Sequence, residues 1–162
     1  MRKSVSGFVI VLLVVLVDQA TKYWVETQMA YQQQNELLSF FSLFRTHNEG
    51  IAFSMLRGLG PWPLIIIALA VVCFVLWLWR STPPDRWLSH LAFGLIIGGA
   101  IGNIIDRAFN GYVVDMFLFH LENWSFAVFN VADVAISIGA GLVILDELIT
   151  WRKTKAIDKN PE

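Results

Sequence analysis

The sequence predicts a mainly α, integral membrane protein: four transmembrane helices, a small sheet outside the bilayer and both termini in the cytoplasm. Three observations predict it. The 162 residues are 56% hydrophobic and 15% charged, whereas soluble domains average about 25% charged. Four apolar runs each approach the ~20 residues that a helix needs to cross a hydrocarbon core. The cations are unevenly placed: Arg2, Lys3, Arg80, Arg86, Arg152, Lys153, Lys155 and Lys159 fall at the chain ends and the second-to-third connection, and only Lys22, Arg45, Arg57 and Arg107 at the opposite side or its rim. The positive-inside rule therefore puts both termini in the cytoplasm. Residues 1–162 read as a single membrane-embedded domain, with spans at about 5–24, 60–80, 87–106 and 125–148 and extracytoplasmic segments at about 25–59 and 107–124.

The first span begins in the uncharged stretch Ser4 to Val17 and continues through Asp18 and Gln19 toward Trp24. Its basic start and apolar core also resemble a cleavable signal peptide. No A-x-A-like site follows, however, and Asp18 and Lys22 continue a helical register, so it reads as a retained helix. Val25 to Gln34 is polar and Gln-rich and reads as a connector. Leu37 to His47 alternates partly with period two and precedes the turn signal Asn48-Glu49-Gly50 and then Ile51-Ala52-Phe53-Ser54, which predicts a small sheet or hairpin on the outer membrane face.

Gly58 to Trp79 is a clean apolar run, and Ser81-Thr82-Pro83-Pro84-Asp85 after it is a polar turn whose prolines stop both flanking helices. The third span, Trp87 to Ile105, contains only His90 as an ionisable group, and it carries Gly94, Gly98 and Gly102 on one face, as a close-packing helix would. Val113 to Phe117 reads as a short loop. Asn123 to Leu145 is the fourth span, with Asp133 its sole ionisable residue. Trp62, Trp77, Trp79, Trp87, Trp124 and Trp151 lie near span ends, where an interfacial aromatic belt belongs.

A net charge of −1 without a basic stripe gives no reason to expect nucleic acid. The lone Cys73 permits no intrachain disulfide and no cysteine-based metal site, and with no base near it, it makes a poor nucleophile. No HExxH motif occurs, and none of His47, His90 and His120 stands in an elbow motif with a serine.

What remains is carboxylates where lipid disfavours them. A carboxyl such as Asp133 at membrane depth costs on the order of 2.5–3.5 kcal/mol on insertion scales, so it should face a polar cavity or a partner. Asp18 and Lys22 are spaced for a helical ion pair. Asn103, Asp106 and Arg107 share one face, and Asn130, Asp133 and Ser137 repeat that spacing. Three helices thus turn polar groups inward at one level, within reach of Asp115. Asp115 alone could equally be a loop carboxylate facing water, and the Asp18–Lys22 pair could merely ease a helix end into the interface. Together, two neighbouring carboxylates in a low-dielectric site cannot both ionise; one holds a proton while the other takes a proton from water that attacks a peptide carbonyl. Asp106 is left outside the catalytic set, as a partner for Arg107 or a helix end.

Five blocks of the chain carry a resemblance: Asp18-Gln19-Ala20-Thr21-Lys22, Asn48-Glu49-Gly50-Ile51-Ala52-Phe53, Gly102-Asn103-Ile104-Ile105-Asp106-Arg107, Val113-Val114-Asp115 and Phe129-Asn130-Val131-Ala132-Asp133. In order and spacing they resemble the bacterial lipoprotein signal peptidases (signal peptidase II), over nearly the whole chain. The resemblance implies a membrane aspartic endopeptidase that removes the signal peptide from diacylglyceryl-modified prolipoproteins, on the N-terminal side of the lipidated cysteine. It implies Asp115 and Asp133 as the catalytic dyad, with Asp18, Lys22, Asn48, Asn103, Arg107 and Asn130 shaping the site or holding substrate. It further implies an extracytoplasmic β-cradle with a short outer helix beside it, a multi-pass place in the bacterial inner membrane with the site at the outer leaflet, contact with membrane lipid and inhibition by globomycin-like peptides. No cofactor, metal or obligate protein partner is expected. A transporter or channel with an aspartate proton relay is the alternative, and would spread ionisable groups through the bilayer thickness. A non-enzymatic assembly protein, the third reading, would make the carboxylates dispensable.

Overall fold

The computed structural model describes residues 2–50 and 60–159. Helices α1 (Arg2–Gln28), α2 (Pro61–Ser81), α3 (Trp87–Asn110) and α4 (Val131–Lys159) each contain 21 to 24 residues apolar enough to cross a membrane. Strands β1 (Gln34–Leu38), β2 (Phe41–Asn48), β3 (Val113–Leu121) and β4 (Trp124–Ser125) form an antiparallel sheet in that order. Its two halves come from the two connections α1–α2 and α3–α4, so the sheet lies at one end of the helices. Ile51-Ala52-Phe53-Ser54 lies outside the described residues, and no short outer helix occurs among the described ones.

Helix α3 is the axis of the bundle: 56% of its apolar window is buried, against 17% for each of the other three helices. Glycine makes that possible. A Cβ on Gly94 would stand 3.0 Å from Ile10, one on Gly98 would stand 2.7 Å from Val14, and one on Gly102 would overlap the Asp18 carboxylate. The expected glycine face is therefore the seat of α1. A second close approach joins α3 to α4, where Gly99 sits against the Ala132 carbonyl and Gly139 lies against Ile96 and the Ala92 carbonyl. In lipid, where no hydrophobic force draws helices together, such backbone proximity supplies the van der Waals contact.

At the end of the bundle away from the sheet, Arg86 closes the α3–α4 pair. Its Nε and Nη2 both reach Asp146 at 2.8 Å, Nη2 also reaches Glu147 at 2.9 Å, and Ser89 donates to the same Asp146 oxygen. The connection from α2 breaks at Thr82 and restarts at Trp87, as the proline pair requires. At its other end α3 stops on Gly111, whose φ of 83° is a left-handed cap and whose N–H bonds the Arg107 carbonyl.

Three expectations need correction. Val113–Phe117 is not a loop but the first part of the nine-residue strand β3; Val113 to Met116 are all buried, so no in–out alternation advertises the strand. The fourth helix starts at Val131, because Phe117 and Phe129 form a β-bridge that keeps the preceding residues extended. Trp79 does not join the belt. It packs inward on Gly7, His90 and Phe93, while Trp62, Trp77, Trp87, Trp124 and Trp151 are exposed.

Gly102→Ala should displace Asp18 and lower both thermal stability and activity, by about 1–3 kcal/mol for the strain alone. Gly141→Ala, where a Cβ meets nothing within 4 Å, should leave the unfolding temperature in detergent unchanged or slightly raised.

Candidate active site

The start of α4 builds the first half of the site. Asn130 is its N-cap: Asn130 Oδ1 accepts the Asp133 N–H at 3.0 Å, and the Asn130 N–H donates to Asp133 Oδ2 at 3.3 Å. This reciprocal pair is a capping box whose acid is Asp133. The carboxylate is thus fixed by the same bonds that satisfy the helix end, and the helix dipole favours its negative charge. Asn103 of α3 donates to the other oxygen, Oδ1, at 3.0 Å.

The sheet builds the second half. In the β2–β3 pairing the register slips between Leu43 and Thr46, a bulge beside the pair Thr46↔Asp115. Asp115 is 2% exposed. Its Oδ1 accepts from Asn130 Nδ2 at 2.6 Å and its Oδ2 from Asn48 Nδ2 at 3.0 Å. Asn48 is itself held, its Oδ1 accepting the Gly50 N–H at 3.0 Å. Burial, and then the neighbouring charge of Asp133, push the Asp115 carboxyl up to about 7, against the lowering pull of the Asn48 and Asn130 bonds. Asn130 thereby touches both carboxyls, one with its side chain and the other with its backbone.

Behind the pair lies a buried cation. Lys22 Nζ meets Asp18 Oδ2 at 2.8 Å, Asp106 Oδ2 at 2.9 Å and Asn103 Oδ1 at 3.0 Å, which uses all three of its protons. The two acids it neutralises each hold a backbone amide: Asp18 Oδ1 accepts the Ala132 N–H at 2.9 Å, and Asp106 Oδ2 accepts the Val114 N–H at 3.1 Å. Ala132 precedes Asp133 and Val114 precedes Asp115. Gln19 ties the cluster further, donating to Asp106 Oδ1 at 2.9 Å and to Asp18 Oδ2 at 3.2 Å.

Arg107 stands apart from that cluster. The expected pair with Asp106 is not made, because Asp106 faces Lys22. Arg107 bonds the Gly50 carbonyl at 2.6 Å and the Asn103 carbonyl at 3.4 Å, and its buried Nε has no partner among the described residues. It lines a cavity of about 540 Å³ with Asn48, Asn103 and Asp133 at the polar end and Phe126, Phe129, Val134 and Ile138 along the walls.

All eight residues singled out in the sequence fall in one connected network. Gln19 and Asp106 belong to it as well; Asp106 was assigned elsewhere because its partner is on a different helix, eighty-odd residues away in sequence. The sheet also pairs a serine with a histidine, which no motif announced: Ser42 Oγ lies 2.7 Å from His120 Nε2. Ser42 is fully buried and also accepts from Gln34, so it offers no reachable nucleophile. His47 is engaged elsewhere, stacked on Tyr112 at 3.8 Å, and burial and then Arg45 lower its pKa. No group of three or more metal-type ligands occurs among the described residues. The relay alternative finds no support: between Asp133 and Asp146 on α4, and between His90 and Asp106 on α3, no acidic or basic side chain occurs.

A membrane-capable bundle that brings together two asparagine-held carboxyls, Asp115 fully buried and Asp133 half-buried at a cavity, fits the class of an aspartic-type membrane protease. The comparisons agree. The family model described as Signal peptidase (SPase) II matches residues 10–149, and the chain belongs to that family. Lipoprotein signal peptidases of Brucella ovis, Brucella canis and Brucella melitensis are 58% identical over 150 residues, covering 93% of this chain and 94% of theirs. A bacterial membrane enzyme solved by the in meso method at 2.3 Å superposes with a TM-score of 0.84 at 27% identity, over 97% of this chain and 93% of its own. Another, solved at 1.9 Å, gives 0.79 at 29% identity over 88% and 92%.

Lys22→Met should be strongly destabilising. It leaves Asp18 and Asp106 as neighbouring buried anions, and breaking a buried pair in this way costs about 3–5 kcal/mol. The measurement is the unfolding temperature of the purified protein, and Asp106→Asn in the same background should recover part of the loss.

Proposed function

We propose that this chain removes the signal peptide from diacylglyceryl-modified prolipoproteins, on the N-terminal side of the lipidated cysteine, with Asp115 and Asp133 as the catalytic pair. The observation that carries the reading is Asn130, whose side-chain amide and backbone N–H hold one carboxyl each, with Asp133 lining an apolar cavity. The cation distribution supports a placement with both termini in the cytoplasm and the site facing the outer leaflet of the bacterial inner membrane.

We take Asp133, at a helix N-terminus whose dipole favours negative charge, as the ionised partner, and Asp115, whose pKa burial and then the Asp133 charge raise, as the protonated one. Asp133 takes a proton from water as the water oxygen bonds to the scissile carbonyl carbon, and Asp115 gives its proton to the carbonyl oxygen. Collapse of the tetrahedral intermediate returns that proton to Asp115 and passes the one on Asp133 to the departing cysteine amine. Arg107, with an unused donor in the cavity, holds a substrate carbonyl. Asp18, Lys22 and Asn103 hold the framework, and Asn48 and Asn130 orient Asp115. A globomycin-like peptide would inhibit by filling the same cavity.

Asp115→Asn and Asp133→Asn should each abolish cleavage of a diacylated prolipoprotein, followed by gel shift, while the proteins still insert and purify normally. An unlipidated precursor should be cut poorly by the wild-type chain; equal rates on both forms would refute the lipid requirement.

Asn48→Ala tests the proton. The Asn48 bond lowers the Asp115 pKa, so its loss lets that pKa rise and keeps the acid protonated to higher pH. The alkaline limb of kcat/KM, expected near 7 in the wild type, should move upward. A limb that stays in place would assign it to another group.

A further inference from the structure

Ser137 is the one polar group of the cavity wall that the proposed mechanism leaves unused. It lies four residues beyond Asp133 on α4, so it faces the same side about 6 Å further into the span. Its neighbours in the cavity lining, Val134, Ile136 and Ile138, are apolar, and the residue is exposed.

Hydroxyls on membrane helices ordinarily bond back to a carbonyl one turn earlier. Thr21, Thr27, Ser81 and Thr150 do so here, to Val17, Tyr23, Trp77 and Asp146, and Ser89 donates to the Asp146 carboxylate. Ser137 makes no hydrogen bond to any described residue, and is alone in this among the helix serines and threonines whose side chains are described. It is a free donor in an apolar wall.

The chemistry of the substrate creates a need for a donor there. A peptide bond presented to the two aspartates must be extended, so the signal peptide helix has to end before it. The last four carbonyls of a helix have no intrahelical partner, and in the hydrocarbon region each unsatisfied one is costly. Those carbonyls fall on the N-terminal side of the scissile bond, deeper in the bilayer than the dyad.

We propose that Ser137 is a substrate-binding residue that donates a hydrogen bond to a backbone carbonyl at the C-terminal end of the signal peptide helix. The inference rests on the proposed peptidase reading. A backbone contact of this kind is indifferent to side-chain sequence.

The test is steady-state kinetics of the full-length protein in detergent with synthetic diacylated lipopeptides. Ser137→Ala should raise KM about 3- to 10-fold, the scale of one neutral hydrogen bond, with kcat, its pH profile and the unfolding temperature unchanged. Ser137→Thr, which keeps the hydroxyl, should restore KM. In a series of lipopeptides with one backbone amide before the scissile bond replaced by an ester, whose carbonyl accepts weakly, one member should lose most of the alanine penalty. An unchanged KM in Ser137→Ala would overturn the proposal. So would a penalty that disappears only when the acyl chains are ether-linked, since the hydroxyl would then be reading the lipid esters. Turnover by the wild type and its loss in Asp133→Asn, measured in the same assay, test the parent reading separately.

Discussion

The site depends on one buried cation. Lys22 is 3% exposed and sits between two carboxylates that are as buried as it is. An isolated ammonium there would be prohibitively costly to desolvate, so it persists only because every proton is used and the acids are nearly in contact. The acids in turn do more than neutralise it. Each also accepts the N–H of the residue before one of the two aspartates of the site, Asp18 that of Ala132 and Asp106 that of Val114. Three helices and one strand are thereby referred to a single point, and the relative placement of Asp115 and Asp133 follows from it.

The glycines of α3 set the distance at which this can happen. Asp18 approaches Ala132 across α3 only because Gly102 has no side chain in the way, and Ala132 reaches α3 only over Gly99. Small residues in a membrane helix are usually credited with packing alone. Here the same close approach lets a carboxylate on α1 cap a helix that begins on the other side of α3. Packing and preorganisation are therefore one requirement.

Much of this was legible in the sequence because lipid is a strict solvent. It tolerates few charges, so Asp133 stood out at once, and it demands length and apolarity, so the helices declared themselves. The glycine face of α3 was equally plain. What hid was decided by partners distant in sequence. Asp106 sits beside Arg107, yet its charge is answered by Lys22 across the α1–α3 contact, and no local pattern encodes that choice. The strand carrying Asp115 hid for a different reason: its first four residues, Val113 to Met116, are all buried and show no alternation. The true start of α4 was set by the Phe117–Phe129 bridge, another long-range pairing.

That choice of partner by Asp106 has a chemical consequence for Arg107. Had the two neighbours paired, as their adjacency suggested, Arg107 would be drawn into the framework and Lys22 would keep a single carboxylate. Because Lys22 takes both acids, Arg107 is left with two backbone carbonyls and an Nε that meets no partner among the described residues, at a cavity it lines with Asp133. A buried unmet donor costs about 1–3 kcal/mol, more when charged. Under the proposed function, a substrate carbonyl that enters the cavity meets that donor. Charge distribution in the framework thus leaves Arg107 at the cavity, unpaired with the Asp106 beside it in sequence.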